Sequence, residues 1–99
     1  MSCAITVPVP FGKDVALVTR ILEETPQGVP DVLDDPLPRA FIEELNQDTC
    51  EFLLTFWIRD SRKKREAVDQ VYRRIWERFQ GESIWLENKS EVNGKKKRG

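Results

Sequence analysis

The 99-residue sequence predicts an α+β sandwich of order β-α-β-β-α-β, with one antiparallel sheet and two helices on one of its faces. Three observations predict it. Over residues 50–58, Cys50, Phe52, Leu54, Phe56 and Ile58 alternate with Glu51, Leu53, Thr55 and Trp57, the pattern of a half-buried strand. Val68, Val71, Tyr72, Ile75 and Phe79 fall on one helical face. Asn46-Gln47-Asp48 supplies a tight turn immediately before the alternating run, which makes a hairpin with the segment preceding it.

The remaining elements follow in chain order. Residues 4–9 read as a first strand, β-branched at Ile5, Thr6, Val7 and Val9. Pro8 and Pro10 have no amide to donate, so this strand belongs at a sheet edge or ends there. Phe11-Gly12 turns the chain, and Asp14 caps a helix whose buried face carries Val15, Val18, Ile21 and Leu22. Pro26 and Gly28 end that helix, and residues 27–37 form a loop rich in proline and aspartate. Residues 39–45 are the second strand, weakened by Glu43-Glu44, and residues 50–58 are the third.

Asp60 or Ser61 caps the second helix. Arg65 and Asp69, Asp69 and Arg73, and Arg73 and Glu77 stand four apart on its exposed face, each pair worth about 0.2–0.5 kcal/mol. Gly81 stops the helix, and residues 83–86 make a short last strand in which Trp85 faces away from the helices. The whole is a ferredoxin-like split βαβ sandwich, a single domain over residues 1–86. Residues 87–99, polar and carrying a Lys-Lys-Lys-Arg end, read as a disordered basic tail.

Composition excludes several classes of function. Apolar residues are 39% of the chain and charged residues 33%, an ordinary globular balance. Apolar runs extend only a few residues, against the roughly 20 that a membrane-spanning helix needs, and no segment has the apolar core of a signal peptide. A formal net charge of −1 gives no global attraction to nucleic acid. With no histidine, the chain can build neither a Ser-His-Asp triad, a Cys-His dyad nor a His-ligated zinc site. Cys3 and Cys50 are too few for a disulfide framework and too far apart for a paired metal motif, and read as reduced thiols.

No residue stands out as catalytic, cofactor-binding or metal-binding, and no cofactor is expected. Asp34 and Asp35 read as solvated turn residues rather than a paired acidic site. Glu43 and Glu44 point to opposite faces of a regular strand and so do not make an acid/base pair. The basic stretches at residues 62–65 and 95–98 read as a solvated helix start and a solubilising tail, with binding to anionic lipid or nucleic acid as the sharper alternative. Among the exposed apolar positions, Leu53 and Trp57 lie on the strand face opposite the core set and are the candidate subunit contacts. Trp85 is a third candidate for the subunit interface, and Trp76 reads as the edge of the core.

Particular residues add a resemblance. Ile5-Thr6-Val7, Asp14-Val15, Val18 and Ile21-Leu22, the connector Val32-Leu33-Asp34-Asp35-Pro36 with Pro38-Arg39, and Glu44-Leu45 occur in order. Cys50, Phe52, Leu54, Phe56 and Trp57 follow, then Ile75, Phe79 and Ile84. This ordered set, over residues 4–86, resembles the C-terminal cytoplasmic domain of the small-conductance mechanosensitive channel (MscS) family. Where that family often continues with a Pro-aromatic-Pro-Gln segment leading towards a terminal barrel, this chain has Glu87-Asn88-Lys89-Ser90.

The resemblance implies a non-enzymatic assembly domain, an excised piece of a longer channel. Its partners would be neighbouring copies of itself in a homo-oligomer, a heptamer in the full-length channel, and the rest of the channel with its membrane helices. It implies neither nucleic acid nor a small-molecule substrate. The place implied is the cytoplasmic side of the cell membrane, as the lower wall of a vestibule beneath a tension-gated pore. The channel would release solutes on hypo-osmotic shock.

The rival reading is a free-standing ferredoxin-like regulatory or RNA-binding module. An RNA binder would interleave exposed aromatics with lysine and arginine on the central strands, whereas Phe52 and Phe56 are expected to be buried and Glu43, Glu44 and Glu51 repel phosphate. An acyl-phosphate hydrolase of this topology would need a phosphate-cradling loop after the first strand, and Pro10-Phe11-Gly12-Lys13 offers one glycine and one lysine.

Overall fold

The alternating run becomes the centre of the sheet. The computed structural model describes residues 1–85 and contains β1 (Ser2–Pro10), α1 (Val15–Glu24), β2 (Arg39–Leu45), β3 (Thr49–Trp57), a 3-10 turn (Ser61–Lys63) and α2 (Lys64–Gly81). β3 pairs antiparallel with both other strands, in the order β1-β3-β2. Ile5 stands opposite Leu54, and Val9 opposite Cys50, on one side. Ala40 faces Leu54 on the other. β1 is an edge strand, as its two prolines require.

Strand parity then builds the core. Cys50, Phe52, Leu54 and Phe56 share a face with Cys3, Ile5, Val7 and Val9, and Ile58 follows them in, none more than 7% exposed. The predicted inward set is the observed one. Both helices cover this face, α1 through Val18, Ile21 and Leu22, and α2 through Ala67, Val71, Ile75 and Phe79.

Asp14 caps α1 as expected, its Oδ1 accepting from the Leu17 amide at 3.2 Å. Gly12 follows β1 at φ 94°, a left-handed turn conformation that glycine adopts without a Cβ clash.

The buried stripes are rotated slightly from the predicted ones. Val15 at the start of α1 is 48% exposed. On α2 the inward positions run strictly four apart, from Ala67 to Phe79, and Tyr72 is 46% exposed. A residue next to Val71 on a helix points about 100° away from it. The phenol of Tyr72 thereby keeps its hydroxyl in water.

The loop after α1 is tied to the end of β3. Val32 bridges Ile58, the Leu33 amide donates to the Trp57 carbonyl at 2.8 Å, and the Arg59 amide donates to Asp31 O at 2.9 Å. Asp31, at φ 77°, also accepts the Asp60 amide on its carboxylate at 3.0 Å. The Asp35–Pro36 peptide is cis.

The expected fourth strand is the main correction. Among the described residues the sheet has three strands, so the observed fold is α+β without the complete β-α-β-β-α-β ferredoxin topology. Residues 83–85 form a turn. Ser83 is left-handed at φ 58°, its amide donates to Gln80 O at 3.1 Å, and the Ile84 amide donates to Phe79 O at 2.8 Å. Those two bonds are a Schellman cap, which reverses the chain instead of extending it. Gly81, expected to stop the helix, is its last residue, and Ser83 takes the terminating conformation. Leu86 and the expected tail over residues 87–99 lie outside the described residues.

Candidate assembly surface

With both helices on one face of the sheet, the other face carries the residues of opposite parity. From β3 these are Glu51, Leu53, Thr55 and Trp57. Thr6 and Phe41 flank Leu53, Ala4 and Arg39 flank Thr55, and Ser2 stands opposite Trp57. Leu53 is half-buried between its neighbours, Phe41 is 47% exposed and Trp57 is 42% exposed. The Arg39 guanidinium lies 5.1 Å from the centroid of the Phe41 ring, within cation–π range.

The structure therefore brings Leu53 and Trp57 onto one open face and adds Phe41 to them. Phe41 escapes a reading of residues 39–45 alone, where Glu43-Glu44 obscures the alternation. The register supplies the signal, because Phe41 pairs directly with Leu53. Polar groups border the patch. Thr6 Oγ1 donates to Glu43 Oε1 at 3.4 Å, and Glu51 Oε2 accepts from Asn46 Nδ2 at 2.8 Å.

Trp85 is placed elsewhere. Contrary to the expectation that it faces away from the helices, its ring meets Phe79 edge-on at 4.8 Å and Trp76 at 5.8 Å. Its Nε1 donates to the Pro8 carbonyl at 2.9 Å. The Schellman turn at Ser83 swings Trp85 back onto α2, and the indole N–H caps one acceptor beside β1. Trp76, expected at the core edge, is 56% exposed, its ring edge-on to Trp85.

A second apolar feature lies at the other end of β3. A β-bulge between Ile42 and Glu44 leaves Ile42 47% exposed. Beneath it is a cleft of about 110 Å³ lined by Val9, Phe11, Val15, Ile42, Leu45 and Phe52.

The ionisable groups form no catalytic constellation among the described residues, and no group of three or more Cys, Asp or Glu there could hold a metal ion. Cys3 pairs with Phe56 and Cys50 with Val9, so the two thiols sit at opposite ends of the sheet and both are free. Burial pushes both thiols above their ordinary range. The Asp60 carboxyl is held below its ordinary range, chiefly by hydrogen bonds from the Arg62 guanidinium and amide. Asp34 and Asp35 are exposed and pair with no described residue. No described helix is long and apolar enough to cross a membrane.

A search of curated proteins finds no match. The family described as "Mechanosensitive ion channel MscS, C-terminal" matches residues 3–85, which takes in every strand and helix but the first residue of β1. That family is a non-enzymatic channel domain. The chain belongs to the MscS mechanosensitive channel C-terminal domain family.

Proposed function

We propose that this domain is a wall element of the cytoplasmic vestibule of a tension-gated channel, in which copies of it surround a hollow cage through which solutes leave on hypo-osmotic shock. Seven copies are the expected number. The part this chain plays is geometric. A rigid two-layer sandwich presents an apolar face to its neighbour, and side openings between subunits let ions and osmolytes pass. Leu53 and Trp57 lie at or near the subunit contact, while Trp85, packed on Phe79 at the Pro8 end of β1, lies away from it.

The observation that carries this reading is the uncovered sheet face with Leu53, Phe41 and Trp57 together, in a chain of a channel family. Such a cluster is larger than the single exposed apolar residues that need no partner. An RNA-binding use of the same face is disfavoured by Glu43 and Glu51 at its border.

The contact is weak in isolation and strengthened in the channel, where the remaining domains hold neighbours at high effective concentration. The 99-residue chain is therefore expected to elute near 11.6 kDa at micromolar concentration. Trp57→Glu in the full-length channel is expected to loosen the cage while the domain keeps its melting midpoint. A tight heptamer formed by the isolated chain, or an assembly structure with Trp57 fully solvated, overturns the respective half of this reading.

A further inference from the structure

The connector before β2 and the start of α2 lie at the same pole of the sandwich but on opposite sides of it. β1 begins, β2 begins and β3 ends at that pole, as the pairings of Ser2 with Trp57 and of Arg39 with Thr55 require. Residues 31–33 and 39–45 both bond along the β2 side of β3. Residues 34–38, between them, take no part in the ladder and loop out. Asp34, Asp35, Pro36 and Leu37 are exposed, Leu37 by 57%, while Pro38 is buried and anchors the loop. A residue preceding proline is held extended, so Leu37 is presented in a fixed backbone conformation.

On the β1 side, α2 runs along the edge strand. Its far end is marked by the bond from Trp85 to Pro8, and at its start the Lys64 charge acts on the Cys3 thiol. There an open groove of about 590 Å³ is lined by Arg62, Lys64, Arg65, Val68, Asp69 and Tyr72, the Asp69 carboxylate being taken up by Arg73 at 2.8 Å. Its floor is apolar, with Val68 half-buried and Tyr72 46% exposed. Arg62 is already paired with Asp60 at 3.0 Å, whereas Lys64 and Arg65 pair with no described residue.

We propose that the 34–38 connector of one copy seats in the α2 groove of the next, with Leu37 on Val68 and Tyr72 and the carboxylates of Asp34 and Asp35 against Lys64 and Arg65. The inference rests on the assembly reading above and adds to its sheet-face contact a second one, from edge to edge. Charge complementarity selects the occupant: two carboxylates beside an apolar anchor on one edge, two cations beside an apolar floor on the other. The chain's own connector does not serve, because the outer strands of the sheet are two strand spacings, about 10 Å, apart. Two different patches at one level on opposite edges make a head-to-tail contact, the kind that closes into a ring.

The test uses the full-length channel with Leu37→Cys and Tyr72→Cys, both at exposed positions. Cys3 and Cys50 are buried and react little. Under oxidation, the double variant is expected to give a ladder of covalent oligomers. A mixture of the two single variants gives dimers and nothing larger, and each single variant alone gives none. Asp34→Lys with Asp35→Lys is expected to lower the cross-linked yield about fivefold, and adding Lys64→Glu with Arg65→Glu restores it. An intact ring with no 37–72 cross-link overturns the docking and leaves the assembly reading standing. Cross-linking of either single variant with itself also overturns it, because the contact is then two-fold. A channel protein that runs only as a monomer by mass overturns both.

Discussion

Ile84 donates its amide to the Phe79 carbonyl at 2.8 Å, and the side chains of both are buried in the core. This bond and the hydrophobic contact that accompanies it fix where α2 ends, and they make the residue between them, Ser83, carry a left-handed backbone. A side chain in that conformation costs about 1–2 kcal/mol, which glycine avoids. Ser83→Gly is therefore expected to raise stability by up to about 1 kcal/mol after the entropy of the more flexible unfolded chain is deducted. Ser83→Val is expected to lower it by about 1 kcal/mol, because serine already bears the left-handed cost and the Cβ branch adds strain to it. Urea melts on the two variants check the pair, and a midpoint unmoved by either contradicts the cap.

Adjacent aromatic residues on β3 are expected to differ sharply. Phe56 is fully buried against the helices and Trp57 is 42% exposed on the opposite face. Phe56→Ala leaves a cavity and is expected to cost about 3–5 kcal/mol. Trp57→Ala is expected to cost about 1 kcal/mol or less in the isolated chain, because much of its ring is already in water. Similar losses for both in denaturant melts contradict the register.

Much of this was legible in the sequence because it depends on local periodicity. Strict alternation from Cys50 to Ile58 set the central strand and its inward face, and the prolines at positions 8 and 10 marked an edge. Other features depend on long-range geometry. Phe41 joins Leu53 only once β2 is paired in register, and the bulge at Ile42 has no marker in composition. Residues 83–86 read as a short apolar strand, yet a left-handed serine reverses the chain, and serine carries no local signal for that conformation. Trp85 then folds back onto Phe79 instead of facing out.

Stability is expected to fall as the pH rises above about 9, and the two cysteines contribute to the loss. Their thiols, buried in the core, are held above the ordinary value of 9.0, Cys50 by burial alone and Cys3 by burial against a partly opposing Lys64 charge. With rising pH the unfolded chain releases these protons first, so the unfolded state is favoured from that point upward, while below it the groups are neutral in both states and add no slope. Urea midpoints at pH 8 and pH 10 are expected to drop less for Cys50→Ala than for the unsubstituted chain. An equal drop contradicts the assignment.

The last expectation concerns how α1 holds the free edge of β2. Glu23 Oε2 accepts from the Ala40 amide at 2.9 Å and lies 3.9 Å from Arg39 Nε. Two interactions therefore converge on one carboxylate, and they are unequal. The Arg39 side chain is 64% exposed, so its ion pair is screened and worth about 1 kcal/mol or less. The Ala40 amide belongs to a residue only 8% exposed, and losing its acceptor there costs about 1–3 kcal/mol. Glu23→Ala removes both interactions and is expected to cost about 2 kcal/mol. Glu23→Gln keeps an acceptor oxygen within reach of the amide and is expected to lose less than half as much. Hydrogen exchange separates the two effects directly. The Ala40 amide is expected to lose protection in Glu23→Ala and keep it in Glu23→Gln. Equal loss of stability and of protection in both variants assigns the edge to the ion pair instead, and with it makes the attachment of β2 to α1 dependent on salt.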